Sequence, residues 1–156
     1  MDSKFVAHVE SLRPKLQALL AMPAVKPTHL PPMMPKAGVY VLSEAGRPLY
    51  VGRSNDIRAR IGNHSRPGAT QQKAAFAFRL ARQATGITRA SYKKGDESRD
   101  GLMKNPAFIK AFTLAKARIC EMELRYVEES DPVRQTLLEI YVAITLEASF
   151  NDFDNH

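Results

Sequence analysis

Hydrophobic positions along the chain follow several distinct patterns, and each predicts a different element. Near the start, Phe5, Val6, Val9, Leu12, Leu16, Leu19 and Leu20 recur at steps of three and four, the signature of an amphipathic helix that Pro14 should bend or divide. Five prolines within residues 23–35, PAVKPTHLPPMMP, then forbid regular helix and predict an extended tether. The runs GVYVL (38–42) and LYV (49–51) are β-branched and aromatic, and the turn segment SEAGRP separates them, so they predict a hairpin. With the turn centred on Ala45, antiparallel pairing sets Tyr40 directly opposite Tyr50, both phenols on one face.

Further along, Ser54 or Asn55 caps a helix whose buried stripe is Ile57 and Ile61. Arg60 and His64, one turn apart, border that stripe, while Arg58 and Asn63 point away from it. Residues 70–84 predict another helix, with Phe76, Phe78, Leu80 and Ala81 as its apolar bulk. TGITRASYKKGDESRDG (85–101) reads as an exposed loop, in which Tyr92, Lys93 and Lys94 suit stacking on a base and contact with phosphates. Asn105 and Pro106 open a further helix. The alternation of Cys120, Met122, Leu124 and Tyr126 against charged residues predicts a third strand with one wet face.

Asp131 and Pro132 cap and start a last helix. From 137 to 146 that helix is apolar nearly all round, which predicts an interior position. Glu139 lies in the middle of it. A carboxylate there must be paired, protonated, bound to a cation or turned to a wet edge, because burying an isolated charge costs several kcal/mol.

The elements together predict an α/β (α+β) fold, a small three-stranded antiparallel sheet flanked by helices, with an N-terminal helical arm. Its 156 residues suit one core, organised as an arm and tether over 1–35 and a main domain over 36–156 that carries a helical insertion at about 66–117. Charge narrows the list of partners. Lys and Arg number 23 against 16 Asp and Glu, a net charge of +7, which suits a polyanion such as nucleic acid. The single cysteine excludes an intrachain disulfide and a multi-cysteine zinc cluster, and the four histidines include no HxxxH pair. No run of about 18 apolar residues and no secretory pattern is present, so the expected location is the cytoplasm, without membrane attachment.

Gly38-Val39-Tyr40 and Tyr50-Val51-Gly52 are followed by Arg60 ten residues after the second tyrosine, His64 one turn later, Glu139 on a downstream helix and Asn151 near the end. In this ordered set the chain resembles the GIY-YIG nuclease superfamily, over about residues 36–153. The resemblance implies the three-stranded fold and metal-dependent hydrolysis of DNA phosphodiesters, with Tyr40, Tyr50, Arg60, His64, Glu139 and Asn151 as the catalytic set. Tyr40 would be the general base, and Arg53, where relatives carry a basic residue, a phosphate contact. Arg58, Lys93 and Lys94 are the other candidates for nucleic-acid contact.

The chemistry is consistent with these residue types. Phosphodiester hydrolysis needs an activated water, neutralisation of charge on the phosphoryl oxygens and help for the departing alkoxide. Mg²⁺ or Mn²⁺ on Glu139 would supply the last two, and Arg60 would fork to the phosphate. Many members of the superfamily join the nuclease module to a separate DNA-binding domain. Here only the arm and the insertion accompany it, which points to a protein partner for targeting or to recognition of duplex or branched DNA by structure. The alternative reading is a nucleic-acid-binding module on the same scaffold without turnover.

Overall fold

The computed structural model describes residues 1–87, 98–151 and 153. Ten elements follow in chain order: α1 (Ser3–Glu10), α2 (Leu12–Ala21), β1 (Gly38–Glu44), β2 (Arg47–Ser54), α3 (Ile57–Ser65), α4 (Ala75–Thr85), α5 (Arg99–Leu102), α6 (Pro106–Cys120), β3 (Glu123–Glu128) and α7 (Pro132–Thr145). The strands form one antiparallel sheet in the order β2-β1-β3, flanked by helices, as the sequence predicts. The chain divides into two compact units. One comprises Met1–Arg60 with Met122–His156, the other Ile61–Glu121.

In the first unit β1 is central and its alternation sorts the residues. Val39 and Val41, with Val51 of β2, face a core completed by Leu12, Leu16 and Leu19 of α2 and by Leu138, Val142 and Ala143 of α7. Tyr40 and Leu42 project from the opposite face. The N-terminal arm is therefore a wall of this core. It breaks at Ser11, three residues before Pro14, which places the proline in the first turn of α2, where its missing N–H leaves no bond unmade.

The proline-rich segment is laid along the sheet instead of standing off as a free tether. Val25 and Leu124 exchange backbone hydrogen bonds of 2.9 and 2.8 Å, and Arg125 Nε donates to the Met22 carbonyl at 2.8 Å, so the outer edge of β3 is covered. Arg58 Nη2 donates to the Pro31 carbonyl at 2.5 Å, fastening the far end of the segment to α3.

The hairpin register differs from the expected one. Ala45 and Gly46 form a two-residue turn with φ of 51° and 76°, the hand that matches strand twist, and the ladder shifts between Leu42 and Ser43, leaving Leu49 as an extra residue in β2. Tyr40 is consequently opposite Gly52, and Tyr50 is opposite Leu42. A turn centred half a residue later and one bulge together move the pairing by two positions. Parity survives, so both tyrosines still share a face.

This register explains two glycines. A Cβ on Gly52 would fall on the Tyr40 hydroxyl, and a Cβ on Gly38 would strike the Val127 carbonyl of β3. The outer end of the Tyr40 ring sits against the bare backbone of β2 at Gly52, and Tyr40 is 1% exposed.

In Ile61–Glu121, α4 contributes Phe76, Phe78 and Leu80 and α6 contributes Phe108, Phe112 and Ile119 to a second core, with Phe78 and Phe108 ring centroids 5.1 Å apart. Asn105 caps α6 by accepting from the amides of Ala107 and Phe108. Cys120, expected in a strand, is instead the last residue of α6, and its Sγ donates to the Ser65 carbonyl. Lys116 is buried with Nζ donating to the carbonyls of Pro67 (2.6 Å) and Ala69 (2.9 Å), and burial lowers its pKa.

Gly52→Ala should destabilise the protein by about 1–3 kcal/mol, the usual cost of overfilling a packed site, read as a lower urea midpoint. Combined with Tyr40→Leu, the loss should be smaller than the sum of the two single losses. Additive losses would show that the two residues do not press on each other.

Candidate active site

The stretch Tyr50-Val51-Gly52-Arg53 of β2 is the spine of the site. Strand alternation sends Tyr50 to the face that carries Tyr40, and the two rings lie 6.4 Å apart at 45°. Arg53, one step past Gly52, projects from the other face, where α7 packs, and its Nε meets Glu139 Oε2 at 2.9 Å. Val51 between them is fixed by the tail. Asn151 accepts from the Val51 amide and donates to the Val51 carbonyl, both at 2.8 Å, while the Phe150 amide donates to the Leu49 carbonyl. The side-chain amide of Asn151 thus imitates a neighbouring strand along the free edge of β2.

Glu139 corrects the expectation of an interior helix. Among the residues of α7, Val133, Ile140 and Ile144 are exposed, and the Glu139 side chain keeps 23% of its accessibility, so α7 lies at the surface and the carboxylate occupies a wet edge. The most buried acid among the described residues is Glu129, at 4% exposure. It pairs with Arg134 Nε at 3.1 Å and accepts from the Asp131 amide, while Gln135 Nε2 donates to its carbonyl and to Asn55 Oδ1. That network braces the β3–α7 corner. Its only sequence signal was the bare EESDP cluster.

Tyr40 is the electrostatic centre. Burial, and next the Tyr50 phenol, push its pKa well above the ordinary value near 10; Arg60 pulls it down and Glu139 pushes it up. Arg60 itself is exposed on α3. The two tyrosines, Arg60, Arg53, Glu139 and Asn151 all belong to the first unit. His64 belongs to Ile61–Glu121, where it is 1% exposed with its ring edge-on to Phe76 at 6.4 Å. Arg58 spends its guanidinium on the Pro31 and Pro32 carbonyls. Lys93 and Lys94 lie outside the described residues.

As for a metal, no group of three or more His, Cys, Asp or Glu able to hold an ion occurs among the described residues. Glu139 offers one hard carboxylate, one of whose oxygens already accepts from Arg53. Such a donor fits a hard dication that keeps several waters and takes other ligands from substrate phosphates, and it does not fit a preformed protein cage.

The comparisons with known proteins are sparse. Over 55 residues the chain is 42% identical to UvrABC system protein C of Hyphomonas neptunium (strain ATCC 15444), a match that covers 35% of this chain and 8% of that protein. No family model and no solved structure matches. No helix among the described residues is long and apolar enough to cross a membrane.

Two measurements test this geometry. Asn151→Ala removes both bonds to the Val51 peptide and should cost about 1–3 kcal/mol, with amide exchange at Val51 accelerating more than exchange in β3. The raised pKa of Tyr40 means that the folded state holds its proton more tightly than the unfolded chain. That stabilisation is present below pH 10 and is lost as pH rises from about 10 toward the folded value. Tyr40→Phe should therefore flatten the fall in urea stability between about pH 9 and 11 relative to wild type. Parallel curves would place Tyr40 in a wetter setting than the one described.

Proposed function

We propose that the protein is a divalent-metal-dependent endonuclease that hydrolyses DNA phosphodiester bonds. One observation carries this reading: the strand segment Tyr50-Val51-Gly52-Arg53 sets Tyr50 beside Tyr40 on one face and Arg53 against Glu139 on the other. The likeness of 55 residues to a UvrABC system protein C supports it.

Within the proposal, Arg60 is the exposed cation that grips the scissile phosphate, where a planar guanidinium bonds two oxygens at once. Glu139 would hold Mg²⁺ or Mn²⁺, which when bound supplies charge neutralisation at the phosphoryl oxygens. Arg53 shares the same carboxylate and so keeps it oriented toward β2. Tyr50 orients Tyr40. Tyr40 as general base must give up its proton against burial and against the charge of Glu139, with Arg60 favouring the phenolate. Cleavage should accordingly speed up with rising pH across the alkaline range. Asn151 acts by holding Val51, and a role for His64 rests on the motif alone.

A second reading, a nucleic-acid-binding module without turnover, draws on two features: burial and the Tyr50 phenol hold Tyr40 neutral, and one oxygen of Glu139 already accepts from Arg53. Nicking of supercoiled plasmid and of branched DNA with Mg²⁺ or Mn²⁺ separates the two. The nuclease reading expects cleavage that falls by about 10²-fold or more in Glu139→Ala and in Arg60→Ala, while binding persists. Cleavage that survives either substitution removes the proposed site, and binding without any cleavage leaves the module.

A further inference from the structure

The charge of the chain is divided unevenly between its two units. Ile61–Glu121 holds 12 of the 23 Lys and Arg and 4 of the 16 Asp and Glu, a net of +8. The sheet-bearing unit keeps the other 11 cations and 12 acids, a net of −1. All of the excess positive charge thus belongs to the unit that contains the helical insertion. Setting aside residues 88–97, the segment still has nine cations against two acids.

Not every cation in that unit faces outward. Lys116 is buried on two carbonyls, and Arg99 donates to the Gln71 carbonyl while lying 5.0 Å over the Phe78 ring. Arg66, Lys73, Lys104, Lys110 and Arg118 are exposed. On α6 the phenylalanines fill the inside against α4, and two of its three cations, Lys110 and Arg118, are left two turns apart on its outer side. Of the two described acids, Asp100 accepts from Gln71 and Gln72.

We infer that Ile61–Glu121 is the part of the protein that holds the phosphate backbone of duplex DNA, by charge and without reading bases, while the near-neutral sheet unit supplies the chemistry. The identification of the polyanion as DNA rests on the nuclease reading above; the assignment of the binding surface does not. Exposed lysines and arginines that neutralise phosphates release condensed counterions, so such binding weakens steeply with salt. A surface whose charge merely maintained solubility would have no reason to collect in one unit and leave the other neutral.

The test measures affinity of the full chain, in EDTA, for a fluorescent duplex of about 20 base pairs of arbitrary sequence, between about 50 and 200 mM salt. Lys73→Ala/Lys104→Ala/Lys110→Ala is compared with Lys4→Ala/Arg13→Ala/Arg47→Ala, three exposed cations of the sheet unit, so both variants lose the same charge. The first should weaken binding at least about tenfold and reduce the slope of log affinity against log salt by about 2 to 3; the second should stay within about twofold of wild type. Equal losses in both variants, or none in the first, overturn the assignment, and tighter binding to an RNA duplex of the same length overturns the choice of DNA. Salt-dependent binding by a wild type that never cuts would remove the nuclease reading and leave this one standing. Cutting that coexists with an unaffected first variant would do the reverse.

Discussion

The contact of the Tyr40 phenol with the bare backbone of Gly52 is the constraint on which the site depends. It exists because Leu49 is bulged out of β2 and the turn at Ala45 and Gly46 is only two residues long, which together bring Gly52 opposite Tyr40. Any side chain at 52 would lift the ring. With the ring down, Tyr40 is sealed from water and Tyr50 leans against it from the diagonal position. Alternation then leaves Arg53 one direction to point, toward α7 and Glu139. One close approach therefore fixes three side chains on two faces.

The same contact sets the acid–base character of the site. A phenol removed from water resists ionisation, and the neighbouring phenol and the charge of Glu139 resist it further, against the single opposing pull of Arg60. At neutral pH the unliganded site holds its proton. Positive charge near Glu139 would act in the direction of Arg60, and the carboxylate lies at a wet edge, steadied by one arginine. The tail contributes rigidity. The paired bonds from Asn151 to Val51 pin the residue between Tyr50 and Gly52, so the edge of β2 cannot fray where the tyrosines depend on it.

How much of this was legible in the chain follows from which forces are local. Two caps were readable because they depend on adjacent residues: Asn105 before Pro106 and Asp131 before Pro132 accept from the amides their positions predict, whereas the residue capping α3 is Asp56, which accepts from the Ala59 amide, and not Ser54 or Asn55. The shared face of Tyr40 and Tyr50 was readable because it needs only parity. Their register was not, since a bulge at Leu49 is decided by how the strand packs and by the Phe150 amide that reaches the Leu49 carbonyl from a hundred residues away. The position of α7 was misread for a similar reason. Its composition is apolar nearly all round, yet the core buries only Leu138, Val142 and Ala143 of it, packs Leu137 and Tyr141 at its margin and leaves Ile140 and Ile144 in contact with water. Nor did composition show that the proline-rich segment would add a bridge to the edge of β3, because its partner, Leu124, is nearly a hundred residues further along.

Net charge for the whole chain conceals what its distribution reveals. At physiological ionic strength a charge is felt over about 8 Å, so a figure of +7 averaged over 156 residues says little about any one surface. The partition matters more. A phenol kept protonated first by burial, and shifted further by Tyr50, Arg60 and Glu139, responds to each of those neighbours individually in a unit with little excess charge of its own. Holding a polyanion requires the opposite, many cations with few acids to pair them. A single domain surface would have to compromise between those demands. Here the excess of cations falls in one unit, 12 against 4 acids, and the sheet unit is left near neutrality with 11 against 12.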